Sequence, residues 1–148
     1  MPSSHTDVGV FTYYKREENG NFRVDTDLSQ AYPMLESYVR SFDFNGKELI
    51  ITDKVKSSAP CRISWLLNTL SLPQLIDGGK LQLLHKGEGF ILTPDKSFVS
   101  LNITDKFGVD INDGVPENVS VLLPPQYHVS YETGESCCHN ICVEIKLI

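Results

Sequence analysis

The sequence predicts an all-β fold, an antiparallel two-layer β-sandwich, and three observations carry that expectation. No window of about eleven residues keeps an apolar period of 3.6, so helices are expected to hold less than roughly a tenth of the chain. Short runs rich in Val, Ile, Thr, Phe and Tyr alternate with polar residues, as half-buried strands do. Clusters of Gly, Asn, Asp and Pro recur every ~8–12 residues, the turn spacing of a sandwich or barrel.

Taken in chain order, residues 9–14 form a first strand, which Glu17-Glu18-Asn19-Gly20 turns into residues 21–24. Pro33 lacks a backbone donor and marks a loop or irregular edge before the strand at 35–44. Asn45-Gly46 reverses the chain into 47–55, and Ser57-Ser58-Ala59-Pro60 reads as a linker to the strand 61–69. Asp77-Gly78-Gly79 and Lys86-Gly87-Glu88-Gly89 punctuate the strands 80–85 and 90–93, and Pro94-Asp95-Lys96 turns into 97–103. Residues 110–114 read as an acidic loop, and strands at 119–123, 127–132 and 141–147 complete the set. With no internal repeat and no linker between larger units, residues 1–148 are expected to form one sandwich domain.

The Asn45-Gly46 hairpin fixes a local picture, because a type I′ turn needs positive φ at both central residues and Asn-Gly supplies it. A two-residue loop there sets Phe44 against Lys47, Phe42 against Leu49, Arg40 against Ile51 and Tyr38 against Asp53. Tyr38, Arg40, Phe42, Phe44, Leu49 and Ile51 then share the core face, while Ser41, Asp43, Glu48 and Thr52 meet water. Arg40 is thus a charge on an apolar face, with Asp53 diagonally within reach. Two roles are open to it. It is a structural ion pair, since an unpaired semi-buried guanidinium is costly, or it holds the carboxylate of a sugar.

Composition narrows the function classes. Apolar content of 41% with 22% charged residues is that of an ordinary globular chain, which argues against wholesale disorder. No apolar run approaches the ~20 residues of a membrane span, and the first residues lack a basic stretch followed by an apolar one, so neither a membrane nor an export signal is expected. A net charge of -6 with Lys and Arg scattered singly argues against nucleic acid as a partner. Cys137, Cys138, His139 and Cys142 crowd one segment, with Cys61 apart from them. Free thiols or one local disulfide suit this pattern; zinc is the alternative, but structural zinc sites pair two ligand clusters and there is no second one. No cofactor and no metal are expected.

Asp27-Leu28-Ser29-Gln30-Ala31-Tyr32, then Arg40, then Ile50-Ile51-Thr52-Asp53-Lys54-Val55, then Trp65-Leu66-Leu67-Asn68-Thr69 follow one another within roughly residues 20–95. This order resembles the C-terminal β-domain of heparinase II/III-type polysaccharide lyases. In that domain a D-L-[ST]-x-A-Y stretch, an arginine-bearing strand, a hydrophobic strand closing on Asp-[RK]-[VL], and W-x-L-H-T succeed one another. Asn68 stands where that family usually has His, so no role of that imidazole carries over.

The resemblance implies the C-terminal part of a larger lyase whose full-length form cleaves uronate-containing polysaccharides by β-elimination. Its catalytic groups would sit mainly on a helical toroid and the preceding part of the β-region, so this chain alone is expected to be inactive, with no catalytic residue of its own. The implied partners are the missing N-terminal helical domain and an acidic polysaccharide, contacted weakly or through that domain. The full-length protein would be secreted, periplasmic or at the cell surface.

Candidate substrate contacts are Tyr127 and His128, which with Tyr131 suit an aromatic sugar platform or a plain strand, and Arg40. Tyr32 and Trp65 are expected in the core with their phenol and indole donors satisfied. A stand-alone carbohydrate-binding or adhesion-type sandwich is the alternative function.

Overall fold

The computed structural model describes residues 9–107 and 126–148; the expected loop at 110–114 and strand at 119–123 lie outside them. Among the described residues there is no α-helix, only two short 3₁₀ turns at Ser29–Ala31 and Asp77–Gly79. The strands are β1 (Val10–Arg16), β2 (Phe22–Asp27), β3 (Ser37–Phe44), β4 (Glu48–Cys61), β5 (Ser64–Thr69), β6 (Gln74–Ile76), β7 (Lys80–His85), β8 (Glu88–Thr93), β9 (Phe98–Phe107), β10 (Gln126–Thr133) and β11 (Ser136–Leu147).

They form two antiparallel sheets, one of eight strands in the order β1-β2-β3-β4-β11-β8-β7-β6 and one of three in the order β5-β10-β9. The all-β sandwich is therefore the observed fold, although its layers are unequal. Period-two alternation aims Ile51 (β4), Leu81 and Leu83 (β7), Leu92 (β8), Ile141 and Val143 (β11) at Trp65, Val129 and Tyr131 of the small sheet, and these nine residues make the buried core. The small sheet thus covers the β4-β11-β8-β7 half of the large one. On the same face of the β1-β2-β3 half, Phe11 and Tyr14 remain 76% and 64% exposed.

The β3–β4 hairpin keeps the expected faces but shifts the register by two residues. Phe44 pairs with Leu49, Phe42 with Ile51, Arg40 with Asp53 and Tyr38 with Val55. The cause is the Asn45 side chain: its Oδ1 accepts hydrogen bonds from the backbone N–H of Lys47 (3.1 Å) and Glu48 (2.9 Å), which puts Asn45 before the turn rather than inside it. Gly46, with φ +93°, becomes the first central residue, where a type II′ turn wants glycine. A type I′ geometry instead occurs at Lys86-Gly87, both at positive φ, between the paired His85 and Glu88.

Two further expectations are corrected. Residues 57–60 are not a linker, because β4 runs unbroken to Cys61; the irregular pairing of Ser136 to Cys138 with Cys61 to Lys56 accommodates Pro60 without a ladder hydrogen bond. The short β6 was not anticipated, since three residues carry too little alternation to register as a strand.

Gly89 on β8 lies opposite Leu84, and a Cβ there would run into the backbone carbonyl of Leu83. Gly89→Ala is expected to cost about 1–3 kcal/mol by forcing β7 and β8 apart, read as a lower denaturant midpoint; an unchanged midpoint would show that the two strands have slack.

Candidate functional site

The residues that carry the D-L-S-Q-A-Y, Arg and Asp-Lys-Val pattern converge on one corner of the large sheet. Asp27 closes β2, and its Oδ1 accepts hydrogen bonds from the backbone N–H (2.9 Å) and hydroxyl (2.5 Å) of Ser29, a local turn that Asp and Ser favour at strand ends. These bonds hold the Asp27 carboxyl below its ordinary value. The Ser29 hydroxyl oxygen in turn accepts from the Tyr38 N–H (2.9 Å), clasping the turn to β3.

The Tyr32 ring leans on Tyr38 with centroids 5.4 Å apart. Tyr32 is 44% exposed, so it is not the core residue expected; the 3₁₀ turn before it breaks the strand alternation that would have pointed it inward. Trp65 is in the core, at 4% exposure, yet its indole N–H has no hydrogen-bond partner among the described residues, against the expectation of a satisfied donor.

Beneath this clasp lies the ion pair. Arg40 donates from Nε to Asp53 Oδ1 (2.6 Å) and from Nη2 to Oδ2 (2.8 Å), a bidentate fork on a carboxylate that is 1% exposed. The Tyr38 hydroxyl donates to the same Oδ1 (3.2 Å). Burial alone would lower the Arg40 guanidinium, but the hydrogen bonds and charge of Asp53 more than reverse this and raise it. Burial, and then the Asp53 carboxylate, raise the Tyr38 phenol against the opposing pull of Arg40. The structural ion pair is therefore present, and any sugar carboxylate at Arg40 would meet a guanidinium already committed to Asp53.

Tyrosine burial gives this fold an alkaline limit. Tyr131, stacked on Phe98 and donating to the Gly79 carbonyl (3.2 Å), has its phenol pushed up by burial to about 12. A phenol raised in the folded state leaves stability intact below the unfolded value of about 10 and removes it as pH climbs toward the folded value. The denaturant midpoint is expected to fall from about pH 10 upward, and Tyr38→Phe should flatten that fall. A profile with no decline as phenolate absorbance rises would show that these tyrosines ionise without strain.

On the small sheet, β10 is central, and the strand alternation sends Tyr127 and His128 to opposite faces. Tyr127 sits on the side of Val129 and Tyr131, against Thr69 of β5. His128 sits on the outer face, opposite Asn68 on β5 and Thr104 on β9. Its Nδ1 lies 2.7 Å from Asn68 Oδ1, so Asn68, the departure from the His of the pattern the sequence resembles, is a partner of His128 on this face. A serine and an asparagine border the pair, Ser130 beside His128 on β10 and Asn102 on β9. Arg40 belongs to the other sheet, so the structure does not bring the three candidates together.

The cysteine-rich segment is β11, where alternation separates neighbours: His139 is buried, with its Nε2 2.8 Å from the Cys61 carbonyl oxygen, while Cys138 is exposed. All four cysteines are free thiols in this structure, and among the described residues no three His, Cys, Asp or Glu side chains gather as a metal set. Sequence reasoning placed Tyr38 on the shared face but gave it no role at the ion pair, and it did not anticipate the Asn68–His128 pair. The first was visible in principle as a polar tip between Ser29 and Asp53; the second had no local signal, because the two residues belong to strands far apart in sequence.

No protein-family model matches the sequence, and no curated protein matches it. Among solved structures, the fold is similar to the crystal structure of the heparan sulfate lyase HepC from Pedobacter heparinus and to that of a mutant of it. Each gives a TM-score of 0.68 at 15% identity, over 94% of this chain and 21% of that one. It is also similar to a heparinase III with methylated lysines, with a TM-score of 0.73 at 14% identity over 97% of this chain and 22% of the other. The chain spans about a fifth of the length of the structures it matches, and at these identities the likeness is one of fold. It reaches well past the residues 20–95 in which the sequence pattern is legible.

Proposed function

We propose that the chain is the C-terminal β-sandwich module of a heparinase II/III-like polysaccharide lyase, non-catalytic in itself, whose full-length form cleaves uronate-containing polysaccharides by β-elimination. The observation that carries this is a coincidence of two independent lines. The ordered Asp27, Ser29, Tyr32, Arg40 and Asp53 pattern builds one interlocked corner, and the fold around it is found within heparan sulfate lyases.

Elimination needs a neutralised carboxylate, a base for the proton beside it and an acid for the leaving oxygen, all held in one cleft. The candidate groups are dispersed instead: Arg40 in the large sheet with Asp53, His128 on the outer face of the small sheet with Asn68, and Tyr127 across β10 from it. Contact with an acidic polysaccharide is proposed for His128 on the outer face, for Tyr127 and for the part of the Arg40 guanidinium that Asp53 does not hold, and their separation would put them on different parts of the polymer rather than on one sugar. The helical domain of the lyase is the partner that would supply the cleft.

The isolated chain is expected to give no unsaturated uronate product from heparan, alginate or hyaluronan above a heat-killed control. Turnover on any of them would overturn the non-catalytic assignment and direct mutagenesis to Tyr127 and His128.

A further inference from the structure

Away from the Arg40–Asp53 corner, the inner face of the β1-β2-β3 half of the large sheet stays open at β1 among the described residues. Phe11 and Tyr14 on β1, Phe22 and Val24 on β2, and Phe42 and Phe44 on β3 fall on one side by register, the side that carries Leu49 and Ile51 on β4. Phe42 and Leu49 already pack against the core, so this face continues the core's apolar surface outward without a break. Phe22 and Phe44 stack on each other, with ring centroids 5.3 Å apart. Beyond them the side chains meet solvent, at 64% exposure for Tyr14 and 76% for Phe11. Among the described residues β1 also ends the sheet as an edge strand. A long edge strand with exposed aromatics is a liability that soluble proteins ordinarily blunt with charge or cover.

We propose that this face is an internal domain interface, covered in the intact protein by an apolar sheet or helix surface of the lyase polypeptide outside this fold. The inference rests on the lyase assignment above and adds which surface of the module docks. Two observations choose that occupant. Among the described residues the small sheet stops at the β4 half of the large one, so the other half has the composition of a sandwich layer that lacks its partner layer. The structures sharing this fold hold it as 21–22% of their length, so most of each such chain is there to supply the covering layer. A second copy of this chain and a stacked sugar are the competing occupants.

Hydroxyl-radical footprinting with mass spectrometry separates the three, using the 148-residue chain and the intact Pedobacter heparinus heparan sulfate lyase as probes. Phe11 and Tyr14 of the isolated chain are expected to label readily at every protein concentration. The side chains that superpose on them in the intact lyase are expected to lose that labelling, with or without heparan oligosaccharide. Equal labelling in both proteins would overturn the proposal. Protection that appears only with heparan would make the face a sugar platform, and protection that grows with concentration of the isolated chain would make it a self-association surface; either outcome also overturns it. The turnover assay above is separate, since elimination by the isolated chain would sink the module assignment while leaving these labelling rates unchanged.

Discussion

Replacing Asp53 with alanine is expected to destabilise the fold by about 3 kcal/mol, the largest effect of any single polar substitution here. Three donors converge on this carboxylate: Arg40 Nε and Nη2 and the Tyr38 hydroxyl. The carboxylate itself is fully enclosed, while the Arg40 side chain keeps 30% of its surface, so solvent relieves part of the stranded positive charge and the cost stays at the lower end of the range for buried pairs. Asp53→Asn keeps an acceptor and should cost less. The double substitution Arg40→Leu with Asp53→Leu should also cost less than Asp53→Ala, because it strands no charge. Urea unfolding of the four proteins gives the comparison. A loss below about 1 kcal/mol for Asp53→Ala would place the pair among exposed ones and remove its structural role.

Trp65→Ala should be comparably damaging, at about 3–5 kcal/mol, because the indole is the largest core side chain of the small sheet and packs with Val129, Tyr131 and the large-sheet apolar residues. Trp65→Phe is the informative partner. It gives up ring volume, but it also removes a buried N–H with no partner among the described residues, and the two effects oppose each other. A cost under about 1.5 kcal/mol is expected for phenylalanine. If phenylalanine proved as costly as alanine, the indole N–H would have to be hydrogen-bonded.

What the sequence made legible follows from what is local. Strand parity is local, so the shared face of Tyr38, Arg40, Phe42, Leu49 and Ile51 and the meeting of Arg40 with Asp53 were readable from alternation alone. Register is less local, because the Asn45 side chain decided whether the turn began at Asn45 or Gly46. Residues 57–60 carry loop-like Ser and Pro yet continue β4, since their state is set by β11, eighty residues away in sequence at Cys137. The candidate site suffered most from this. Asn68 and His128 become neighbours only through the pairing of β5 with β10, and no periodicity announces which strands pair.

The position of β11 has a consequence for how the protein is made. It is translated after every other described strand, yet it is paired on both sides, to β4 through ten registered residues and to β8 through four. A nascent chain that has emerged only as far as Thr133 therefore holds two unfinished half-sheets, each with a raw interior edge at β4 or β8 that would be templated by any extended peptide nearby. Nothing local can close them, because the missing pairings join residues as distant as Ile51 and Val143. Closure of the large sheet therefore waits on β11, the last described strand in chain order. The twelve residues Ser136–Leu147 join two half-sheets into one, so until they pair, the β4 and β8 edges are the ones open to mispairing.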